Sequence, residues 1–295
     1  MKSTELYKKL ESFFDLETPE DDWEFKNTKF LTPKFSAKKN KDMGLMCDNT
    51  NEITRVFTVT FLNSEIIEFL KIRNIKNALV FCHHPMCWDL GYLKNGGEKF
   101  KELSDPEYQF LKDNKISVFV AHHPLDNNNS EINVNKSLAN AIGLEIVENH
   151  ICDYDGISLG VVCRATNLTS LKNKFESAIG HKSHLLDFGC GEIKNGLVAI
   201  VGGGGNKKGI YEKLVSKGIN TYITGIVNNE TGHPASAEAI EFAKDNKINI
   251  LAGTHYSTEK FALIDMVGWF QKLGVPAEFI PQQPKFSDYT YGIIT

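Results

Sequence analysis

Three apolar runs in this chain each lead into a histidine-bearing turn, and that repetition constrains its fold more than any other feature. Ala78-Leu79-Val80-Phe81 runs into Cys82-His83-His84-Pro85, and Ile116-Ser117-Val118-Phe119-Val120 runs into Ala121-His122-His123-Pro124-Leu125-Asp126. Ile248-Asn249-Ile250-Leu251-Ala252 precedes His255-Tyr256-Ser257-Thr258-Glu259. Short continuous apolar runs of this kind read as buried strands. Open α/β sheets place their ligand sites beyond the C-terminal ends of strands. Imidazoles and carboxylates arriving there repeatedly point to a metal site. Four of the nine histidines fall in the two adjacent pairs, which favours more than one ion.

The rest of the chain alternates in step with these runs. An amphipathic helix over 4–14 leads into a polar, Lys- and Asp-rich stretch expected to run extended over the surface. Strands are expected over 55–61, 77–82, 116–121, 144–148, 156–163, 196–201, 219–223, 248–252 and 275–280. Between them the pattern predicts helices over 65–73 (capped at Ser64), 98–113 (entered at Pro106), 131–142 (ended by Gly143), 168–179, 206–217, 234–246 and 257–273 (stopped by Gly274). Strands alternating with helices at this spacing predict α/β architecture with mainly parallel sheet.

Bulk properties exclude several partners. At 295 residues the chain has ample core for one large domain or two ordinary ones. A net charge of -4 argues against a phosphate-neutralising surface, so nucleic acid is not expected as the primary ligand, and Lys38-Lys39-Asn40-Lys41 reads as a solvated loop. No apolar stretch approaches the ~20 residues of a membrane span, and the N-terminus lacks the apolar core of a signal peptide. The six cysteines include no Cys-x-x-Cys pair. In a chain of this length they do not read as a disulfide framework, which places the protein in the reducing cytoplasm. Cys82 and Cys163 read as small buried hydrophobes, and Cys87 is a remote candidate ligand on spacing.

Neighbouring side chains in a regular strand face opposite ways, so His83 and His84 could not both reach one point from mid-strand. Pro85 offers no N–H to a ladder and ends the strand, which lets both imidazoles converge over the sheet edge. His122, His123 and Pro124 repeat the device. Asp126 follows His122 by four residues and Glu259 follows His255 by four, so a helical turn would project each pair to one side. A carboxylate can bridge two ions with its two oxygens. Imidazole and carboxylate without thiolate suit zinc, iron or manganese. The alternative for any one histidine is a hydrogen-bonded structural residue, and His123 reads as solvent-facing. The run Gly202-Gly203-Gly204-Gly205 before a helix suits either an anion-binding turn or a tight strand-to-helix turn.

His83-His84-Pro85 with Trp88, then His122 to Asp126, Gly202-Gly203-Gly204, Ile223-Thr224-Gly225 and finally His255 to Glu259 occur in this order. Together they resemble the Nif-three-like dinuclear metal centre family, the GTP cyclohydrolase type 2 homologues, over residues 44 to 295. The resemblance implies two divalent metal ions per chain (zinc, iron or manganese) on His83, His84, Asp126, His255 and Glu259. It implies that His122 lies in or beside the site and that His233 lines the same cavity, which makes both candidate catalytic residues, for proton transfer or for orienting the water. It also implies two interlocked α/β domains of mainly parallel or mixed sheet flanked by helices, with the metal site between them: residues 1–128 with 248–295, and 129–247. Members assemble as ring-shaped hexamers. The expected function is metal-dependent hydrolysis of a small-molecule substrate, nucleotide-like or phosphorylated. The alternative is a non-catalytic metal-binding protein: a metallochaperone, a sensor or a regulatory adaptor. Redox chemistry on iron ranks below both, since no dinucleotide or flavin motif is present. Ile226 departs from the pattern, standing where relatives commonly carry Glu after Thr-Gly.

Overall fold

The structure is a computed structural model and describes residues 1–14, 44–88, 100–228 and 234–289. Its first part comprises helix α1 (Ser3–Phe14), strands β1 (Gly44–Cys47) and β2 (Arg55–Phe61), helix α2 (Ser64–Ile72), and strands β3 (Ala78–His84), β4 (Cys87–Trp88) and β5 (Phe100–Lys101). Helix α3 (Asp105–Asp113), strand β6 (Ile116–Val120) and the single-turn helix α4 (His123–Asp126) follow. Next come α5 (Val134–Ile142), β7 (Ile146–Glu148), β8 (Cys152–Tyr154), β9 (Ile157–Leu159), β10 (Val161–Arg164), α6 (Leu168–Ile179), β11 (His184–Leu186) and β12 (Leu197–Ile200). The chain continues through α7 (Lys208–Ser216), β13 (Thr221–Thr224), α8 (Pro234–Asp245), β14 (Asn249–Ala252), α9 (His255–Lys272) and β15 (Ala277–Phe279). The polar stretch after α1 and the candidate site residue His233 lie outside the described residues, as do the side chains of Cys87 and Trp88.

Two sheets carry the fold. The first has the order β1-β6-β3-β2-β15, and the second β11-β14-β13-β12-β10-β7. In the first, β6, β3, β2 and β15 are parallel and only β1 runs against its neighbour. In the second, β12, β13 and β14 are parallel, while β10, β7 and β11 are antiparallel. Both sheets are therefore mixed around parallel centres. All seven residues of β3 and all five of β6 are buried, as expected of central parallel strands covered on both faces.

α1 buries Leu6, Tyr7, Leu10 and Phe14 on one face, the spacing its sequence predicts. That face meets Phe81, Phe119 and Phe270, and each fully buried apolar side chain there contributes about 1.5–3 kcal/mol. The expected strand over 156–163 is interrupted at Gly160. Its φ is +78°, and a Cβ there would stand 2.5 Å from Ile151 Cδ1. The chain therefore forms a hairpin, β8–β9, across Asp155-Gly156, both in the left-handed region, before β10 begins.

One expectation about organisation changes. The strand over 248–252, grouped in sequence with residues 1–128, lies in the second sheet as β14, between β13 and β11. The crossing to the first sheet comes one element later. α9 leaves β14 and packs against β2, β15 and α5, and Thr58 Oγ1 on β2 donates to Leu263 O of α9 at 2.8 Å. An apolar strand carries no mark of which parallel neighbour it will join, so this boundary was not readable from its residues.

Candidate metal centre

Three chain segments deliver the predicted ligands to one place. β3 runs two residues beyond its expected end, so His83 and His84 are its last residues before Pro85, and both are fully buried. His122 precedes α4, whose single turn, begun with Pro124, brings Asp126 back beside it; Asp126 N–H donates to His122 O at 3.2 Å. α9 starts at His255 rather than at 257. Thr254 caps it by accepting from Ser257 N–H, while Ser257 Oγ accepts from Thr254 N–H. Serine at the third helical position stands where the usual signal is Glu or Gln, so the sequence pattern points to a start two residues later than the true one. With the helix begun at 255, His255 and Glu259 share a face.

Six side chains form three overlapping groups whose ligand atoms lie within 4.8 Å of one another: His83, His84 and His122; His84, His255 and Glu259; His83, Asp126 and Glu259. Asp126 turns Oδ1 to His83 Nε2 at 3.5 Å and Oδ2 to His122 Nε2 at 3.6 Å. Glu259 turns Oε2 to His84 Nε2 at 2.9 Å, and Oε1 to His255 Nε2 at 2.9 Å and His83 Nε2 at 3.6 Å. Each carboxylate is thus shared between histidines. Histidine, Asp and Glu donors without thiolate suit a borderline or hard divalent ion.

His83 provides the test of fit. Its Nδ1 lies 2.9 Å from Ala121 O, which as acceptor fixes the Nδ1–H tautomer of the neutral ring and turns the Nε2 lone pair to the cluster. That Nε2 is buried and has no hydrogen-bond partner among the described residues. Its nearest polar neighbours are the carboxylates of Asp126 at 3.5 Å and Glu259 at 3.6 Å, so imidazole nitrogen and carboxylate oxygens face one point that a cation could join. The residues present fit a divalent ion.

The electrostatics agree. Burial disfavours a charge on His83, yet Asp126 and Glu259 overcome it and hold its pKa well above the ordinary 6.5. Burial, with His83 next to it, pushes His84 well below. For Glu259, burial favours the neutral acid, but His255, His84 and His83 outweigh it and keep the carboxyl well below its ordinary range. The cluster holds its carboxylate ionised, the state a cation requires.

Supporting residues complete the site, and the sequence did not single out their roles. Phe61 stacks on His84, ring centres 4.7 Å apart, and meets His255 edge-on. Asp288, fully buried beyond the last strand, accepts the His255 N–H at 2.9 Å. The glycine run serves as a packing strap. Gly203 has φ +61°, and a Cβ there would stand 1.9 Å from Glu259 Oε1. Its N–H donates to Thr258 Oγ1, and Gly202 N–H donates to Asn135 Oδ1. Of the two readings left open for this run, the tight turn describes these first two glycines, whose N–H groups are spent on side chains. Ile226 is buried on the same strap and donates its N–H to Gly203 O.

One expectation fails here. His123 was expected to face solvent, but it is only 6% exposed, and its ring stacks on His122 with centres 5.1 Å apart. It belongs to none of the three ligand groups. The turn that returns Asp126 to the cluster also folds His123 under the site. Cys82 and Cys163 are fully buried, as expected, and among the described residues no helix is long and apolar enough to cross a membrane.

A buried cluster of imidazoles and carboxylates, set where α9 of one sheet meets β3 and α4 of the other, defines an α/β protein with a site that could hold a metal ion. Residues 26–285 match the family Duf34/NIF3 (NGG1p interacting factor 3), and the chain belongs to that family. An Archaeoglobus fulgidus protein named GTP cyclohydrolase 1 type 2 homolog is 27% identical over 243 residues, spanning 80% of this chain and 87% of the relative. Among solved structures, Staphylococcus aureus protein SA1388 superposes with a TM-score of 0.67 at 18% identity, covering 99% of each chain. Reduced HcgD from Methanocaldococcus jannaschii superposes at 0.65 with 20% identity, over 96% of this chain and 98% of that one. These two likenesses establish the fold.

Proposed function

We propose that this protein is a cytoplasmic, metal-dependent hydrolase of a nucleotide-like or phosphorylated small molecule, loaded with two divalent ions and assembled as a homohexameric ring. The observation that carries the reading is the sharing of the two carboxylates. Asp126 and Glu259 each divide their oxygens between histidines, an arrangement that suits a pair of ions better than a single one. Divalent ions at this position would supply Lewis acidity and lower the pKa of a water from 15.7 to about 7.

The chain's own residues set the rest. His83 is held by Ala121 O and His84 by the Phe61 ring, so neither imidazole needs to reorient. Asp126 and His122, with side chains 20% and 10% exposed, are the most open members and mark the side by which a substrate would arrive. His122 is thereby placed to pass a proton to or from it. The name shared by the relatives supports a purine nucleotide as the first substrate to try.

Elemental analysis after reconstitution with zinc or manganese is expected to give two ions per chain; one or none would overturn the dinuclear assignment. Loaded protein is expected to hydrolyse a nucleotide or phosphate ester and to lose that turnover on chelation. Light scattering is expected near six times the 33.1 kDa chain mass, and a stable monomer would overturn the ring. The second reading is a metal protein without catalysis (metallochaperone, sensor or adaptor). Ile226 favours it, as an apolar side chain where the family resemblance leads one to expect a carboxylate. Metal-loaded protein inert towards all nucleotides and phosphate esters would decide for it.

A further inference from the structure

Lys207, which ends the glycine strap, is not accounted for by packing. It is half-buried at the start of α7, with Nζ 3.7 Å from the centre of the Tyr154 ring and donating to Tyr154 Oη. Among the described residues no carboxylate lies within ion-pair distance of it, whereas its neighbour Lys208 is paired with Glu238 at 2.9 Å.

Both halves of this pair are tied to the metal centre. Lys207 closes the strap whose Gly203 abuts Glu259. Tyr154 belongs to the β8–β9 hairpin, which is bonded to the residues just after Asp126: Asn128 N–H donates to Ser158 O at 2.8 Å, and Ser158 N–H to Asn127 Oδ1 at 3.3 Å. The Lys207–Tyr154 contact therefore joins the segment behind Glu259 to the segment behind Asp126, on the flank of the more open ligands. Burial lowers the Lys207 pKa, against the pull of Asp155 and Asp126. An ammonium that gives up water without gaining a carboxylate is left in deficit, and an arriving anion restores the balance.

We propose that Lys207, held in place by Tyr154, forms an oxyanion subsite beside the metal centre, which takes a phosphoryl group of the substrate. Its purpose rests on the hydrolase reading, but its binding can be measured without turnover. The ammonium supplies the charge. The phenol accepts from it and seats the ammonium against its ring. The substrate class thus narrows to molecules carrying a phosphoryl group next to the bond that is cleaved.

The test is titration of metal-free, full-length protein with inorganic phosphate, followed by phosphorus NMR line broadening. Wild type is expected to bind saturably. Lys207→Gln is expected to weaken binding about tenfold or more, as loss of a charge-assisted contact implies. Tyr154→Phe should weaken it by a smaller factor, and Lys207→Arg should stay close to wild type. Zinc content should be unchanged in all three, which separates a subsite from a collapsed site. Absence of phosphate binding by wild type, or undiminished binding by Lys207→Gln, would overturn the proposal; should Lys207→Gln not fold, Tyr154→Phe at wild-type affinity would do the same. Acetate competing as well as phosphate would overturn the phosphoryl assignment. Lys207-dependent phosphate binding in a protein that hydrolyses nothing would sink the hydrolase reading and leave the subsite standing.

Discussion

Gly203→Ala is the sharpest single test of how the site is held. The added Cβ would stand 1.9 Å from Glu259 Oε1, 2.9 Å from Glu259 Cδ and 3.1 Å from His255 Nε2, where ordinary contact begins at 3.4 Å. The closest atom must therefore retreat by about 1.5 Å, whereas metal–ligand distances tolerate about 0.2 Å. A carboxylate at the end of a flexible side chain normally swings aside cheaply. Glu259 cannot, because it is 3% exposed and engaged with His84 and His255 at 2.9 Å each. The φ of +61° adds backbone strain of about 1–3 kcal/mol for a residue with a Cβ. We expect loss of at least one ion, or zinc affinity down by about a hundredfold, equivalent to about 2.7 kcal/mol. The melting temperature of the metal-free protein should also fall. Calorimetric zinc titration with circular dichroism reads both. Wild-type affinity in folded Gly203→Ala would refute the claim that the strap fixes Glu259.

Asp126→Asn and Glu259→Gln keep side-chain size but each removes one of the two carboxylates of the cluster among the described residues, so each is expected to lose at least one ion while remaining folded; both ions held at wild-type affinity would remove that residue from the ligand set. His123→Ala is expected to keep the metal stoichiometry, since His123 is in no ligand group, but to lower stability by about 1–3 kcal/mol because a buried ring is deleted; unchanged denaturant unfolding would contradict the burial. Metal-free His83 holds its proton above the ordinary 6.5, and an ion must displace it, so uptake near neutral pH should release a proton and weaken as pH falls. Heats independent of buffer ionisation enthalpy would count against this. In the metal-free fold the same shift stabilises below about 6.5, and that contribution is lost as pH rises through the raised value.

Much of the first layer was legible because its logic is local. Pro85 and Pro124 end extended chain next to a histidine, and four-residue spacing pairs His122 with Asp126 and His255 with Glu259 wherever the chain turns helically. The alternation of strands and helices likewise gave the α/β class. What stayed hidden depends on contacts between distant segments. His123 looked exposed because a short polar turn reads as surface, and only the fold places it beneath His122. The Asp155-Gly156 turn was written in the sequence, but Gly160 disguised it by making two strands look like one. Asp288 lies in a stretch with no hydrophobic period, and nothing near it in sequence announces that it caps a helix 33 residues earlier.

The origin of the candidate ligands explains why one helix can govern both site and fold. His83, His84, His122 and Asp126 come from β3 and the turn after β6 in the first sheet, while His255 and Glu259 sit on α9, which leaves β14 of the second. α9 then packs on β2 and returns the chain to the first sheet as β15. An ion held by His83, Asp126 and Glu259 would engage only the arrangement in which the two sheets are docked, since the unfolded chain cannot bring those residues together. Binding of that kind stabilises by mass action, about 2.7 kcal/mol at a hundredfold excess over Kd. The buried start of α9 would otherwise be a liability, because it places a carboxylate and imidazoles where water cannot reach them. Gly203, Thr258 and Asp288 hold those groups in one geometry, so the polar cluster that weakens the core is also what fixes how the two sheets meet.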